Sequence, residues 1–285
     1  MIALTERAYA KLNFSLDVLT RRADGYHDLC SVMQTISLYD TVELFLETGK
    51  PWQLSCNDKT LAADETNLAW RAAEVFCRET GAVLNGLELR LTKRIPSQAG
   101  LGGGSADAAA VLRALNRHCK TGLSAERLCA LGALVGSDVP FCVMGGTALA
   151  KGRGERLTKL PPAPRMRVVV CKGALAFSTP VLFARLDATE IPRRPDTQAL
   201  CAALCGGDVR AVGAALCNVF EFAVAQAYPQ IAQMKAALLA CGACGAQMTG
   251  SGSAVFGLFD DDARAEEACK MLRDSKLRIF LAETV

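Results

Sequence analysis

Between Ile95 and Ala110 the chain reads IPSQAGLGGGSADAAA, with four glycines in five residues and then an alanine-rich run that favours helix. Ordering glycine costs more backbone entropy than ordering any other residue, so such a cluster belongs where the backbone must come close to something. The stretch before it, LELRLTKRI, alternates Leu87, Leu89 and Leu91 with Glu88, Arg90 and Thr92, the period of a half-buried strand. The stretch after it predicts a helix from about Ser105 to Cys119. Strand, glycine loop, helix is the order that offers an anion the unpaired N–H groups of a helix N-terminus, with no Cβ in the way. A tight turn that only lets the helix pack is the simpler reading, but four glycines exceed what a turn requires.

Two familiar phosphate loops fail on residues. A Walker loop ends in Gly-Lys-Ser/Thr, whereas Gly104 is followed by Ser105 and Ala106. A dinucleotide fingerprint needs a third glycine where Ser105 stands, and its strand is continuously apolar rather than alternating. That makes a hydride-transferring enzyme a poor fit.

The 285 residues are 51% hydrophobic and carry a net charge of +3. That is enough for two modest domains with a real core, and too little charge to argue for nucleic acid or an anionic membrane. MIALTERAYAKLN lacks the apolar stretch of a secretory signal, and no run approaches the roughly 18 apolar residues of a membrane span. A soluble, cytoplasmic chain is expected, as monomer or homodimer, with no nucleic-acid or membrane partner. Thirteen cysteines scattered through apolar runs read as reduced packing thiols. Cys241 and Cys244 in CGAC have metal or redox spacing, with Cys201 and Cys205 as a conceivable partner pair, but packing is the expectation and no metal ligand is assigned.

The proline-rich TKLPPAPRMR, Thr158 to Arg167, reads as the connection between an N-terminal and a C-terminal part. The first part opens with a half-buried strand, Leu12, Phe14, Leu16 and Val18 on one face and Lys11, Asn13, Ser15 and Asp17 on the other. An Asp24-Gly25 turn follows, then a TVELFLET strand, a helix in ETNLAWRAAEVFCRETG ending at Gly81, and a helix from about Ser124 to Val135 stopped by Gly136. The second part holds helical DVRAVGAALCNVFEFAVA and YPQIAQMKAALLACG, an MTGSGS loop into an AVFGLF strand, a charged helix DDDARAEEACKMLRD and a last strand LRIFLAE. Antiparallel strands with helices gathered on one face make an α+β expectation.

Four blocks carry a resemblance. PSQAGLGGGSADAA resembles the phosphate-binding motif of the GHMP kinases (galactokinase, homoserine kinase, mevalonate kinase and relatives). AYAKLNFSLDVLTRRADGYHDLCSVMQTI, GSDVPFCVMGGTALAKGRGE and MTGSGSAVFGLF are similar, in that order, to the branch that phosphorylates the cytidine diphosphate derivative of methylerythritol. The resemblance implies a two-domain fold, an N-terminal α/β domain over 1–157 and a ferredoxin-like C-terminal domain over 158–285. It implies ATP as co-substrate, Mg2+, and a cytidylylated methylerythritol as acceptor. Another GHMP acceptor, of homoserine or mevalonate type, and a non-catalytic nucleotide-binding module are the alternatives.

By the same resemblance Asp138 is the catalytic base and Lys11 the ammonium that keeps it ionised and offsets phosphate charge. Without it, Asp138 before Pro140 reads as a turn residue and Lys11 as an edge-strand lysine. ATP falls to Pro96, Ser97, Gln98, Ala99, Gly100, Leu101, Gly102, Gly103, Gly104, Ser105 and Ala106. Ala106 departs from members with two serines there, which removes a hydroxyl from phosphate or metal. Asn13, two residues from Lys11 and so on the same strand face, is implied to contact substrate. Tyr26 and His27 are implied to read cytosine by stacking and hydrogen bonding, with Phe183 as second stacking residue and Thr179 nearby. Periodicity alone makes Phe183 core and Tyr26-His27 surface. Gly250, Ser251 and Gly252, within TGSGS, are taken to close on substrate phosphates, against the plainer reading of a helix-to-strand turn.

Overall fold

The computed structural model describes residues 2–47, 49–273 and 276–285. Met1, Thr48 and Asp274, on which the readings of the first segment, the TVELFLET strand and the charged helix partly fall, lie outside the described residues. In chain order the first elements are β1 (Ile2–Asn13), β2 (Ser15–Arg21), β3 (His27–Leu46), β4 (Gln53–Cys56), α1 (Leu68–Thr80) and β5 (Leu87–Thr92). Then come α2 (Gly103–His118), α3 (Ala125–Val135), α4 (Val139–Met144), β6 (Thr147–Gly152), β7 (Arg156–Lys159) and β8 (Arg167–Lys172). The rest are α5 (Thr179–Asp187), α6 (Thr197–Gly206), α7 (Val209–Ala215), β9 (Cys217–Asn218), α8 (Phe220–Val224), α9 (Pro229–Ala240), β10 (Gly245–Met248), β11 (Val255–Phe259), α10 (Asp262–Leu272) and β12 (Arg278–Glu283).

The compact units do not part at the prolines. One comprises the chain up to Ala10 with Tyr39–Ile95 and Gly102–Gly145; the other comprises Lys11–Leu38, Pro96–Leu101 and Gly146–Val285. The proline stretch is irregular backbone between β7 and β8, inside the second unit.

In the first unit the C-terminal half of β3 pairs antiparallel with β5, from Thr41↔Thr92 to Leu46↔Leu87, and β5 pairs parallel with β4. Their inward side chains, Val42, Leu44, Leu89 and Leu91, share one core with Phe76 of α1 and with Val111, Leu112 and Leu115 of α2. Helix α1 ends as predicted at Gly81, φ 71°, and the Asn67 side chain caps the Ala69 N–H at its start.

In the second unit the N-terminal half of β3 pairs with β6, from Leu29↔Gly152 to Gln34↔Thr147, and with β2. A separate antiparallel sheet runs β10-β11-β8-β12. Helix α9 packs on β10 and β11, and α10 on β8 and β12. Strand β8, α9, hairpin β10-β11, α10 and β12 in that order form the ferredoxin-like split βαββαβ unit that the sequence comparison implied.

Two local readings are corrected. The first strand is not half-buried: the chain bends at Phe14 between β1 and β2, and Lys11, Asn13, Ser15 and Asp17 are buried on what periodicity made the solvent face. The helical reading of DVRAVGAALCNVFEFAVA breaks in the middle, because Cys217 and Asn218 leave the helix to pair parallel with Ser15 and Leu16 of β2. Tertiary pairing outweighs local propensity there.

Candidate active site

In the second unit two glycine loops meet over Lys11. The Lys11 N–H donates to the Leu101 carbonyl at 3.0 Å, and the Ala254 N–H donates to the Ala99 carbonyl at 3.1 Å. Gly100, at φ 75°, takes the Thr249 carbonyl so close that a Cβ there would lie 2.0 Å from the oxygen. Gly100 is therefore a glycine for packing between the two loops, a reason the phosphate argument alone did not supply. A Cβ on Gly250 would lie 3.2 Å from the Lys11 Nζ, so the ammonium sits directly under the TGSGS loop.

Lys11 is 4% exposed, which excludes the edge-strand reading. Its Nζ donates to the Asn13 Oδ1 at 2.7 Å, and the Asn13 Nδ2 donates to the Ser31 Oγ at 2.8 Å. The Asn13 backbone is held as well, its N–H by Thr249 Oγ1 and its carbonyl by the Gln247 Nε2. Asn218, which sequence reasoning passed over inside a supposed helix, donates to the Met248 and Gly250 carbonyls at 2.8 Å each. It fixes the TGSGS loop from below. Across that loop Thr179 and Ser251 share a hydrogen bond of 2.9 Å between hydroxyls.

Tyr26, His27 and Phe183, expected to serve a base, are placed differently from one another. His27 is buried, and its ring stacks on Phe183, centroids 4.9 Å apart and planes 13° from parallel. Phe220 meets the same Phe183 ring edge-on at 5.0 Å. Tyr26 is 56% exposed and lies under the Arg153 guanidinium at 5.0 Å. Phe183 is thus half-buried rather than core, and its aromatic neighbours among the described residues are His27 and Phe220.

In the first unit α2 begins two residues earlier than predicted. Gly102 is the N-cap at φ 69°, and Gly103 and Gly104 form the first turn. A side chain on Gly103 would press on Ile95 at 3.1 Å, and one on Gly104 on Leu68 at 3.3 Å. Their smallness lets the N-terminus of the helix sit against Ile95, beyond the end of β5, and against α1, with first-turn N–H groups unused by the helix itself. Ala106 corrects its assignment to ATP: its side chain is 1% exposed in the core, and its N–H donates to the Gly102 carbonyl at 2.8 Å. The half-buried Ser105 is the last residue of the motif with a hydroxyl to offer.

Asp138 is the N-cap of α4, half-buried, with its carbonyl accepting from the Cys142 N–H at 3.1 Å. The short helix is anchored to α2: Arg113 Nη1 donates to the Cys142 carbonyl at 2.8 Å. Gly132 of α3 admits Val139, where a Cβ would lie 2.9 Å from the valine methyl. The Asp138 backbone and the glycine-rich helix are therefore parts of one packed assembly.

Beneath that helix lies a buried ionic cluster the sequence did not signal. Lys93 Nζ bridges the carboxylates of Asp40 and Asp107, and Asp40 Oδ1 also accepts from the Arg94 and Ile95 N–H groups. Asp107 Oδ1 is buried with no partner. Burial pushes the Asp107 carboxyl up to about 7, against the pull of Lys93. Burial also draws the Lys93 ammonium down, but Asp107 and Asp40 outweigh it and hold it above its usual value. The two carboxylates account for the direction at Lys93, and burial, with Asp40 close by, for the direction at Asp107.

The comparisons with known proteins agree with this architecture. The family descriptions "GHMP kinases N terminal domain" and "GHMP kinases C terminal" match residues 67–146 and 199–277. The chain is 42% identical over 283 residues, 99% of itself and 98% of the relative, to the 4-diphosphocytidyl-2-C-methyl-D-erythritol kinase of Pelotomaculum thermopropionicum. It is 39% identical over 279 residues, 98% of itself and 94% of the relative, to the enzyme of that name from Caldicellulosiruptor saccharolyticus. A crystal structure of 4-(cytidine 5'-diphospho)-2C-methyl-D-erythritol kinase superposes with a TM-score of 0.83 at 32% identity, covering 99% of each chain.

Proposed function

Because this chain belongs to the 4-diphosphocytidyl-2-C-methyl-D-erythritol kinases of the GHMP superfamily, we propose that Asp138 accepts the proton of the attacking hydroxyl and that Lys11 steadies the charge on the transferring phosphoryl group. The reaction is ATP-dependent phosphorylation of the 2-hydroxyl of 4-(cytidine 5'-diphospho)-2-C-methyl-D-erythritol. It gives the 2-phosphate and ADP, within non-mevalonate isoprenoid supply. The observation that carries the reading is likeness over nearly the whole chain at 42% identity. The buried Lys11, held between two glycine loops, supports its assigned role.

On this reading the first-turn N–H groups of α2 and the Ser105 hydroxyl receive ATP phosphates, together with the backbone of 96–102. Asn13, Thr179 and residues 250–252 serve the acceptor, and His27, Tyr26 and Phe183 its base. Magnesium enters with ATP. Among the described residues no three His, Cys, Asp or Glu side chains converge on a metal position. Magnesium's chemistry would be neutralisation of phosphate charge. We place the reaction in the cytoplasm, where thirteen free thiols stay reduced, and keep 1–157 and 158–285 as the family's sequence domains.

The test is Asp138→Asn, which removes the base and keeps the shape. Turnover is expected to fall by about 10²–10⁴-fold, with melting temperature and ATP binding unchanged. Turnover near wild type would remove Asp138 from the role.

A further inference from the structure

His27 stands at the start of β3, opposite Arg21 across the β2-β3 hairpin. Two residues of α5 hold its ring. Phe183 lies flat against it, and the Asp187 Oδ1 is 2.8 Å from the His27 Nε2. Positions 183 and 187 are four apart, so one helix face delivers both contacts. Phe220, edge-on to Phe183, keeps the stacking ring from turning. Ring plane and one ring nitrogen are therefore both fixed by the protein.

A carboxylate in its ordinary form only accepts hydrogen bonds. The nitrogen facing it must carry the proton, so a neutral His27 is the Nε2–H tautomer and its Nδ1 bears a lone pair. An acceptor of that kind suits a heterocycle with an exocyclic amino group, which donates. It penalises the counterpart with a carbonyl at that position, because two acceptors then face each other.

We propose that Asp187 is a specificity-determining positioning residue: by fixing His27 as the Nε2–H tautomer it makes the site select an amino-pyrimidine, cytosine, over the keto-pyrimidine uracil. This rests on the assignment of His27 to the base subsite made above. Asp187 acts through His27 and is not itself placed on the substrate. Its side chain is 42% exposed, so its contribution to overall stability is small.

The chain has two histidines, His27 and His118, so long-range 1H–15N imidazole spectra of the labelled protein contain two ring systems, assigned with His118→Gln. In the wild type the neutral His27 ring should show the Nε2–H tautomer. Asp187→Ala should lose that tautomer and lower the kcat/KM ratio of cytidylylated over uridylylated substrate by about tenfold, with KM for ATP unchanged. Asp187→Asn, which can still accept from Nε2–H, should restore most of both. An Nδ1–H tautomer of the neutral His27 ring in the wild type overturns the proposal. So does an unchanged substrate ratio in Asp187→Ala while His27→Ala raises KM for the cytidylylated substrate. If His27→Ala itself leaves that KM unchanged, the base subsite lies elsewhere and both readings fall.

Discussion

Lys11 and Asn13 show how one residue's surroundings carry meaning that its spacing does not. Their shared strand face was legible from period 2 alone. Their burial was not, because the TGSGS loop, 236 residues away from Asn13 in sequence, supplies the Thr249 hydroxyl that covers its N–H. A buried ammonium of this kind is costly unless well bonded, so its retention argues for use. Lys11→Met keeps the aliphatic stem and removes the charge. It should lower kcat by about 10²–10³-fold, the scale of one lost electrostatic stabiliser, while the folded protein still binds the cytidylylated substrate. A variant with wild-type kcat would reduce Lys11 to a packing residue. The expectation for Tyr26 and Phe183 came only through the family resemblance, and the stacking of Phe183 on His27 was not legible from periodicity, since α5 and the β2-β3 hairpin are distant in sequence.

At the scale of elements, the glycine loop was legible as strand, loop and helix, but the start of α2 was not. Glycine is a poor helix former, and only close packing of Ile95 and Leu68 explains why Gly103 and Gly104 lie inside the helix. Gly100 and Gly122 offer a controlled comparison, with φ of 75° and 64°. A Cβ on Gly122 meets nothing within 4 Å, whereas one on Gly100 meets the Thr249 carbonyl at 2.0 Å. Gly122→Ala should cost about 1 kcal/mol of left-handed strain. Gly100→Ala should cost more, by about 1–3 kcal/mol for the forced separation of two loops, and should also raise KM for ATP. Equal melting temperatures for the two variants would contradict the loop contact.

The Asp40–Lys93–Asp107 cluster gives the same element a pH dependence. Asp107, up at about 7 in the folded protein, holds a proton that the unfolded chain releases near pH 4. Raising pH from about 4 to 7 therefore costs stability through this group, and above that the cost is constant. Asp107→Asn removes the titration and keeps an acceptor for Lys93. Its melting temperature relative to wild type should be higher at pH 8 than at pH 5.5, by a few degrees for about 1 kcal/mol. A difference independent of pH would show that Asp107 does not change its charge across that range.

At the scale of the whole molecule, the α+β class and the order of most strands and helices were readable from periodicity, caps and glycines. The grouping of segments was not. A composition break such as the proline stretch marks irregular backbone, but compactness depends on which strands pair. Strands β1 and β3 each run from one unit into the other. The thirteen cysteines are all free thiols, but only Cys171 and Cys217 are buried and Cys205 is exposed, so the expectation of buried packing thiols holds for few of them; burial pushes the Cys171 thiol up to about 12, which leaves it inert as a nucleophile. What the molecule does follows from its likeness, over nearly its whole length, to the 4-diphosphocytidyl-2-C-methyl-D-erythritol kinases. The most direct measurement is ADP release by the purified protein with ATP and Mg2+, offered 4-(cytidine 5'-diphospho)-2-C-methyl-D-erythritol, homoserine or mevalonate. Turnover with the cytidylylated substrate and none with the other two is the predicted result; turnover with homoserine or mevalonate in its place would contradict it.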